Sequence, residues 1–159
     1  NRDATPDEIE QIYAEKSAYF HQLGEANPIP YVADVLQYVK SCGNQIWVVT
    51  GSGQRTLIDT LHTIFPDVFD NQRMITAFDV VHGKPAPEPY RKAWERSKLK
   101  KEQCFVIENA PLGVRSGKAA GLTVYAVNTG ILTREDLLEA GADIVFNSMK
   151  ELLAFLQEQ

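Results

Sequence analysis

The sequence predicts an α/β fold, in which a parallel sheet carries helices on both faces. Short runs rich in Val and Ile alternate with segments of about ten residues that have helical periodicity. The chain has 159 residues, the size of one ordinary domain, and its composition of 44% hydrophobic and 23% charged residues is that of a globular protein. Internal repeats and low-complexity tracts are absent from the sequence. Together these observations indicate a three-layer arrangement built around one parallel sheet.

The first element is a helix that precedes the alternating region. Thr5 is a suitable N-cap and is followed by Pro6 at the first helical position and Glu8 as a capping-box acid. Gly24 is the expected stop, and the connector Asn27-Pro28-Ile29-Pro30 disfavours continuation of a helix. We therefore expect residues 1–27 to form a separate helical unit with its hinge, and residues 28–159 to form the α/β core.

The core elements follow one another regularly. The expected strands are 46–50, 74–77, 104–107, 123–127 and 144–146. The expected helices are one ending at Gly43, one ending before Pro66, the segments 87–98 and 112–120, a short helix capped by Thr133 and a final helix capped by Ser148.

Composition and charge restrict the possible partners. A net charge of −5 gives no basic footprint for nucleic acid, and an anionic small substrate would need a local positive site. The sequence contains no apolar stretch of the roughly 18 residues that a membrane span needs, and residues 1–16 do not resemble a signal peptide. The two cysteines lack metal-type spacing, which favours a reducing, cytoplasmic compartment.

Polar residues directly after the strands are the candidate functional residues, because parallel α/β sheets bind ligands beyond the carboxyl ends of their strands. Thr50, Gly51 and Ser52 follow the first strand and lead into a helix, where hydroxyls and backbone N–H groups can bind an oxyanion. The alternative interpretation is a plain helix-capping turn.

Two further segments carry charge at the same edge. Lys84 stands before Pro85 and Pro87, which restrict its backbone, and Glu108 and Asn109 offer oxygen ligands suited to magnesium. The alternative interpretation of Lys84 is a lysine exposed to solvent. The alternative interpretation of Glu108 and Asn109 is a helix cap.

Taken together, these segments resemble a known family. The runs Ile46–Thr50, Gly83–Pro87 and Val106–Val114, with Ala119–Leu122 beyond, resemble the second, third and fourth motifs of the haloacid dehalogenase (HAD) superfamily. The branch they resemble most is that of the β-phosphoglucomutase-like phosphatases and mutases. This resemblance implies a HAD-like, Rossmann-like core and an aspartyl-phosphate mechanism.

The resemblance also implies residue roles. Thr50 and Gly51, with Ser52 assisting, would bind the phosphoryl oxygens, Lys84 would balance charge, and Glu108 and Asn109 would hold Mg²⁺. The helix Asp7–Gly24 would be the remnant of an α-helical cap, and Asn27–Tyr31 its hinge. The substrate would be a small phosphorylated metabolite, a sugar phosphate being the first choice, and the intact protein would be a monomer.

Two departures from the family pattern matter. Many relatives carry an acid where Asn109 stands, so this site contributes less negative charge. The sequence also contains no Asp-x-Asp, the family's nucleophile motif, which ends a strand at the centre of the sheet. We expect a gap between strands 46–50 and 104–107, and a longer parent protein with roughly 80 or more further residues.

The function expected of the parent protein is that of a magnesium-dependent phosphatase or phosphomutase, and the 159-residue chain by itself is expected to be inactive. The alternative from another class is a non-catalytic module that binds an anion or a metal. Carbon–halogen or phosphonate cleavage is a third possibility, and Glu108 and Asn109 speak against the haloacid-cleaving branch because that branch does not require magnesium.

Overall fold

The computed structural model of the protein describes residues 4–22, 27–52 and 55–159. Seven α-helices lie in these ranges: α1 Pro6–Gln22, α2 Val32–Ser41, α3 Arg55–Ile64, α4 Glu88–Ser97, α5 Pro111–Ala119, α6 Arg134–Glu139 and α7 Met149–Gln157. Five strands alternate with them: β1 Val48–Val49, β2 Met74–Ile75, β3 Phe105–Glu108, β4 Thr123–Val127 and β5 Ile144–Phe146. The predicted order of helices and strands is confirmed.

The helix starts follow the predicted capping chemistry. At the start of α1, the Glu8 carboxylate accepts from the Thr5 N–H and the Thr5 hydroxyl accepts from the Glu8 N–H. Thr133 and Asp136 form the same reciprocal box at α6, and the Ser148 hydroxyl accepts from the Glu151 N–H at α7. The predicted helix end at Gly24 lies outside the described residues.

The strands form two parallel sheets. β1 pairs with β2, and β3, β4 and β5 pair in that order. Because parallel strands require crossovers, the strands of each pair are joined through a helix: α3, α5 and α6 in turn.

Side chains of β3, β4 and β5 point alternately to two hydrophobic clusters, as the pleat requires. Val106, Val124 and Val145 belong to the cluster covered by α4, α5 and α6. Val127 and Phe146 belong to the second cluster, which α2 and α7 cover. The predicted three-layer, Rossmann-like arrangement is therefore confirmed.

The two sheets do not join, because the described residues supply no strand between β1 and β3. A cavity of about 340 Å³ occupies this position, with Ile46, Trp47 and Val49 on one side and residues 104–108 on the other. β1 and β2 are two residues long, shorter than the predicted 46–50 and 74–77. β1 is paired along one edge only, which gives fewer ladder hydrogen bonds to extend it.

Helix α1 keeps apolar side chains in contact with solvent. Ile9 is 44% exposed and Ile12 is 59% exposed. Of the helices in the described part of the chain, none has the length and apolar character required to cross a membrane.

Candidate active site

Thr50 lies at the carboxyl end of β1, where its backbone and its hydroxyl are both fixed. Its N–H donates to the Ile75 carbonyl at 2.9 Å, which continues the ladder with β2. Its hydroxyl oxygen accepts from the Ser52 N–H at 3.0 Å, so the turn folds back on itself. A threonine hydroxyl can donate as well as accept, so Thr50 has the chemistry to bond an anion.

Lys84 reaches the same place from the loop before α4, and this loop is held at both ends. The Glu88 carboxylate accepts from the N–H groups of Val81 and His82, and the buried Ser116 hydroxyl donates to the Ala86 carbonyl at 2.6 Å. Hydrogen bonding from Lys92 and from these N–H groups lowers the pKa of Glu88 to about 2, so it stays ionised and holds the loop.

The Lys84 ammonium connects the two sheets at their carboxyl ends. It donates to the Val49 carbonyl of β1 at 3.0 Å and to Glu108 Oε1 at the end of β3 at 2.5 Å. It also donates to the Tyr90 hydroxyl at 3.0 Å, and that hydroxyl donates to Glu108 Oε1 at 2.6 Å. Three polar side chains from a loop, a helix and a strand therefore share one small network.

The network is shielded from water. The side chains of Lys84 and Glu108 are 18% and 10% exposed. Burial opposes ionisation of Glu108, yet Lys84, Tyr90 and the Asn109 N–H together hold the pKa of this carboxyl below its usual range. Burial, with the Glu108 charge beside it, raises the pKa of Tyr90, so the phenol stays protonated and acts as a donor. The site thus keeps the Glu108 carboxylate ionised beside Lys84 at neutral pH.

Gly113 of α5 makes room for the Glu108 carboxylate. A Cβ added at this position would lie inside van der Waals distance of the carboxylate carbon and both of its oxygens. The glycine therefore lets the helix approach the acid so closely that no larger residue fits without moving it.

A second cavity brings the predicted anion ligands together. It measures about 130 Å³ and is lined by Thr50, Gly51, Gly83 and Lys84, with Ala77, Val80, Val81 and Pro89. This is smaller than a pocket for a drug-sized ligand and suits a small anion group. Its wall thus contains a threonine, two glycines and a lysine of the predicted anion-binding segments. Ser52 follows Gly51 of this wall but is not itself part of the lining.

Glu108 and Asn109, the two residues predicted to hold a metal, are consecutive at the end of β3, and Glu108 bonds Lys84 of the cavity wall. The Asn109 side-chain amide donates to the Thr129 hydroxyl at 3.0 Å through its nitrogen, so this bond does not use its oxygen. Within residues 4–22, 27–52 and 55–159, no three His, Cys, Asp or Glu side chains cluster to hold a metal ion. Glu108 and Asn109 are hard oxygen donors of the kind that Mg²⁺ takes, but two donors do not fill its octahedron, so the remaining ligands must come from water, substrate or other protein groups.

The sequence indicates Thr50, Lys84, Glu108 and Asn109, but it does not reveal three further contributors. Tyr90 has the pattern of an apolar helix position, although its hydroxyl bonds both Lys84 and Glu108. Thr129 follows β4 and orients Asn109. Gly113 falls within a family motif, but only the structure shows that its lack of a side chain leaves space for the Glu108 carboxylate. Polar residues after β4 could have indicated Thr129, because every parallel strand ends at the same edge.

These features define a Rossmann-like α/β protein with a candidate anion site at the carboxyl edge of its sheet. A sequence model of the haloacid dehalogenase-like hydrolases matches residues 2–127. The chain belongs to this family of enzymes.

Solved structures and curated sequences place it among phosphoglucomutase-like members. A protein from Bacteroides vulgatus, provisionally assigned as a β-phosphoglucomutase, is 44% identical with a TM-score of 0.91, over 98% of this chain and 63% of that one. The phosphorylated carbohydrates phosphatase of Thermotoga maritima is 29% identical over 96% of this chain and 72% of its own length. Hexitol phosphatase A of Escherichia coli is 33% identical over 78% of this chain and 55% of its own length. The chain therefore spans between about half and three quarters of these relatives.

Proposed function

We propose that the protein to which this chain belongs is a magnesium-dependent phosphatase or phosphomutase for a small phosphorylated metabolite of the sugar-phosphate class. The observation that carries the proposal is the placement of Lys84 between the Thr50 turn and Glu108. The relatives named above as phosphatases of phosphorylated carbohydrates and hexitols support the substrate class.

In this proposal the described residues bind and orient the phosphoryl group. Thr50 and the Gly51 N–H donate to its oxygens, with Ser52 assisting. Lys84 offsets the charge of the phosphoryl group and of Glu108 at once. The low-dielectric surroundings strengthen both interactions.

The metal would be held by Glu108 and Asn109, directly or through water. Bound Mg²⁺ supplies charge neutralisation for the phosphoryl oxygens. Tyr90 and Gly113 would keep the Glu108 carboxylate in place, and Thr129 would hold the Asn109 amide.

The reaction needs a carboxylate nucleophile, which the sequence lacks in the form of Asp-x-Asp. We propose that a further segment of the parent protein supplies it. During transfer, the phosphorus–oxygen bond to the substrate breaks as a bond to that carboxylate oxygen forms. Water or a second substrate hydroxyl then takes the phosphoryl group.

We also propose that residues 1–27 are the remnant of a helical cap and its hinge, and that residues 28–159 are the catalytic core. Exposed apolar side chains surround the carboxyl edge of the sheet and support a covering domain: Phe78 and Val81 are each 84% exposed, and Ile131 is fully exposed.

The test separates binding from turnover. Isothermal titration of this chain with inorganic phosphate and Mg²⁺ should show phosphate binding that Lys84→Met abolishes, whereas Lys98→Met, at an exposed position in the loop after α4, should leave it unchanged. A longer form that contains an Asp-x-Asp strand should hydrolyse p-nitrophenyl phosphate in the presence of Mg²⁺, and this chain alone should be slower by on the order of 10⁶.

A non-catalytic binding module is the second candidate, favoured by the lack of the nucleophile motif in this chain. It predicts the same phosphate binding, with no hydrolysis by the longer form. Hydrolysis that persists unchanged in Lys84→Met would show that the site is wrongly placed.

A further inference from the structure

We propose that Lys92 of α4 is a positioning residue for the 130 Å³ anion cavity and acts on it through the segment 77–83. The inference rests on the proposed function, and it concerns a residue that neither lines the cavity nor belongs to the predicted motifs. The Lys92 ammonium bonds the beginning of this segment directly and its far end through Glu88. It thereby holds the backbone wall against which a phosphoryl group would bind.

The segment 77–83 forms one side of the cavity. Four of the eight lining residues belong to it: Ala77, Val80, Val81 and Gly83. Its first three residues form a short 3₁₀ turn. The Ala77 N–H donates to the Ser52 carbonyl at 3.4 Å, which joins this side of the cavity to the Thr50 turn. A shift of the segment therefore changes the shape of the cavity.

The beginning of the segment is bonded to α4 at Asp79. The Lys92 ammonium donates to the Asp79 carbonyl at 2.6 Å, and the Arg96 guanidinium donates to the Asp79 carboxylate at 3.2 Å. The other oxygen of this carboxylate accepts from the N–H and from the hydroxyl of Thr76, both at 2.9 Å. Backbone and side chain of Asp79 are thus bonded to α4 and to the residue that follows β2.

The same ammonium reaches the far end of the segment through Glu88. The Lys92 Nζ atom lies 2.9 Å from Glu88 Oε1, and the Glu88 carboxylate accepts from the N–H groups of Val81 and His82. Because Glu88 bonds the wall residue Val81, its negative charge lies close to the cavity and opposes an anion there. Lys92 offsets this charge as well as fixing the carboxylate that carries it.

An ordinary ion pair on the same helix provides the matched control. Arg91 and Glu95 stand in the same i,i+4 relation as Glu88 and Lys92, but they approach only to 3.8 Å and both are more than half exposed. Exposed pairs of this kind fix little structure. The Lys92 side chain is 34% exposed, and it bonds a backbone carbonyl as well as a carboxylate. Arg91→Met therefore removes a helix cation without touching the segment.

Hydrogen exchange on the chain without ligand tests the positioning. In Lys92→Met the amides of Val81 and His82 should exchange at least about tenfold faster than in the native chain, because Glu88 loses the cation that fixes it. Arg91→Met should leave these rates unchanged. Lys92→Arg keeps the charge and several donors, so it should restore most of the protection.

Isothermal titration with inorganic phosphate tests the consequence for the cavity. The Kd for phosphate should rise by about tenfold in Lys92→Met and return to within about threefold of the native value in Lys92→Arg. Gly117→Ala crowds Val124, which lies outside the cavity wall, so it controls for lost stability and should bind phosphate as the native chain does. If Lys92→Met does not fold, Lys92→Gln replaces it, because glutamine keeps a donor but no charge.

The outcomes separate this inference from the proposed function. Unchanged phosphate affinity in Lys92→Met, with binding still abolished by Lys84→Met, would overturn the role of Lys92 alone. The same holds for equal weakening by Arg91→Met, or for faster exchange at Val81 and His82 with native affinity. A native chain that does not bind phosphate would refute the anion site, and the inference with it.

Discussion

The close approach of Gly113 to Glu108 leads to a sharp prediction about stability. In Gly113→Ala the new methyl group occupies the space of the Glu108 carboxylate, so the acid must move away from Lys84 and Tyr90. Separating a largely buried ion pair lowers the free energy of unfolding by about 3–5 kcal/mol. Alanine has a higher helix propensity than glycine, which offsets about 1 kcal/mol of this loss. We therefore expect the free energy of unfolding to fall by about 2–4 kcal/mol.

A mutant cycle identifies the cause. Urea unfolding would be measured for native protein, Gly113→Ala, Glu108→Ala and the double variant. Without the Glu108 carboxylate the clash disappears, so Gly113→Ala should then be neutral or stabilising by up to about 1 kcal/mol. The effect of one substitution thus changes sign with the background.

Gly117→Ala is the matched control on the same helix. Its Cβ would come within 2.7 Å of the Val124 Cγ2 atom and touches no carboxylate. It should therefore destabilise equally with or without Glu108. An equal loss for Gly113→Ala in the two backgrounds would refute the reasoning, because the damage would then lie in the helix rather than at the acid.

Three other substitutions test the remaining contacts. Tyr90→Phe removes a donor to Glu108 and should lower the free energy of unfolding by about 1–3 kcal/mol, measured in urea. Thr129→Val frees the Asn109 amide and should weaken Mg²⁺ binding by about tenfold or more in calorimetry, with native melting behaviour. The pKa of Glu88 falls from 4.5 to about 2, so its contribution to stability is present above pH 4.5 and is lost as pH falls toward 2. Unfolding of Glu88→Gln should accordingly depend less on pH between 4.5 and 2.

The order of elements could be predicted because periodicity and capping residues are local signals. The Thr133–Asp136 box and the Val-rich run 123–127 specify their own structure, and both form as expected. The lengths of β1 and β2 could not be predicted in this way. They depend on neighbours across the sheet, and β1 lacks a partner on one edge.

The residues of the candidate site also divide into those that local sequence signals indicate and those that depend on tertiary packing. Thr50, Lys84 and Glu108 each follow a strand or lie in a loop at the carboxyl edge, so topology indicates that they meet. Tyr90 could not be identified, because an aromatic residue on the apolar face of a helix has the same sequence signal whether or not its hydroxyl reaches an acid. Only the packing of α4 beside β3 reveals that contact.

The division of the sheet also has a consequence for folding order. β3, β4 and β5 pair between segments close in sequence and carry the strand residues of both hydrophobic clusters, so we expect the folding nucleus to form there. β1 and β2, with the Thr50 turn, would join after the rate-limiting step. Substitutions in the Thr50 turn should then speed unfolding and leave the folding rate nearly unchanged. Residues of the Thr50 turn can thus change without slowing the formation of the fold.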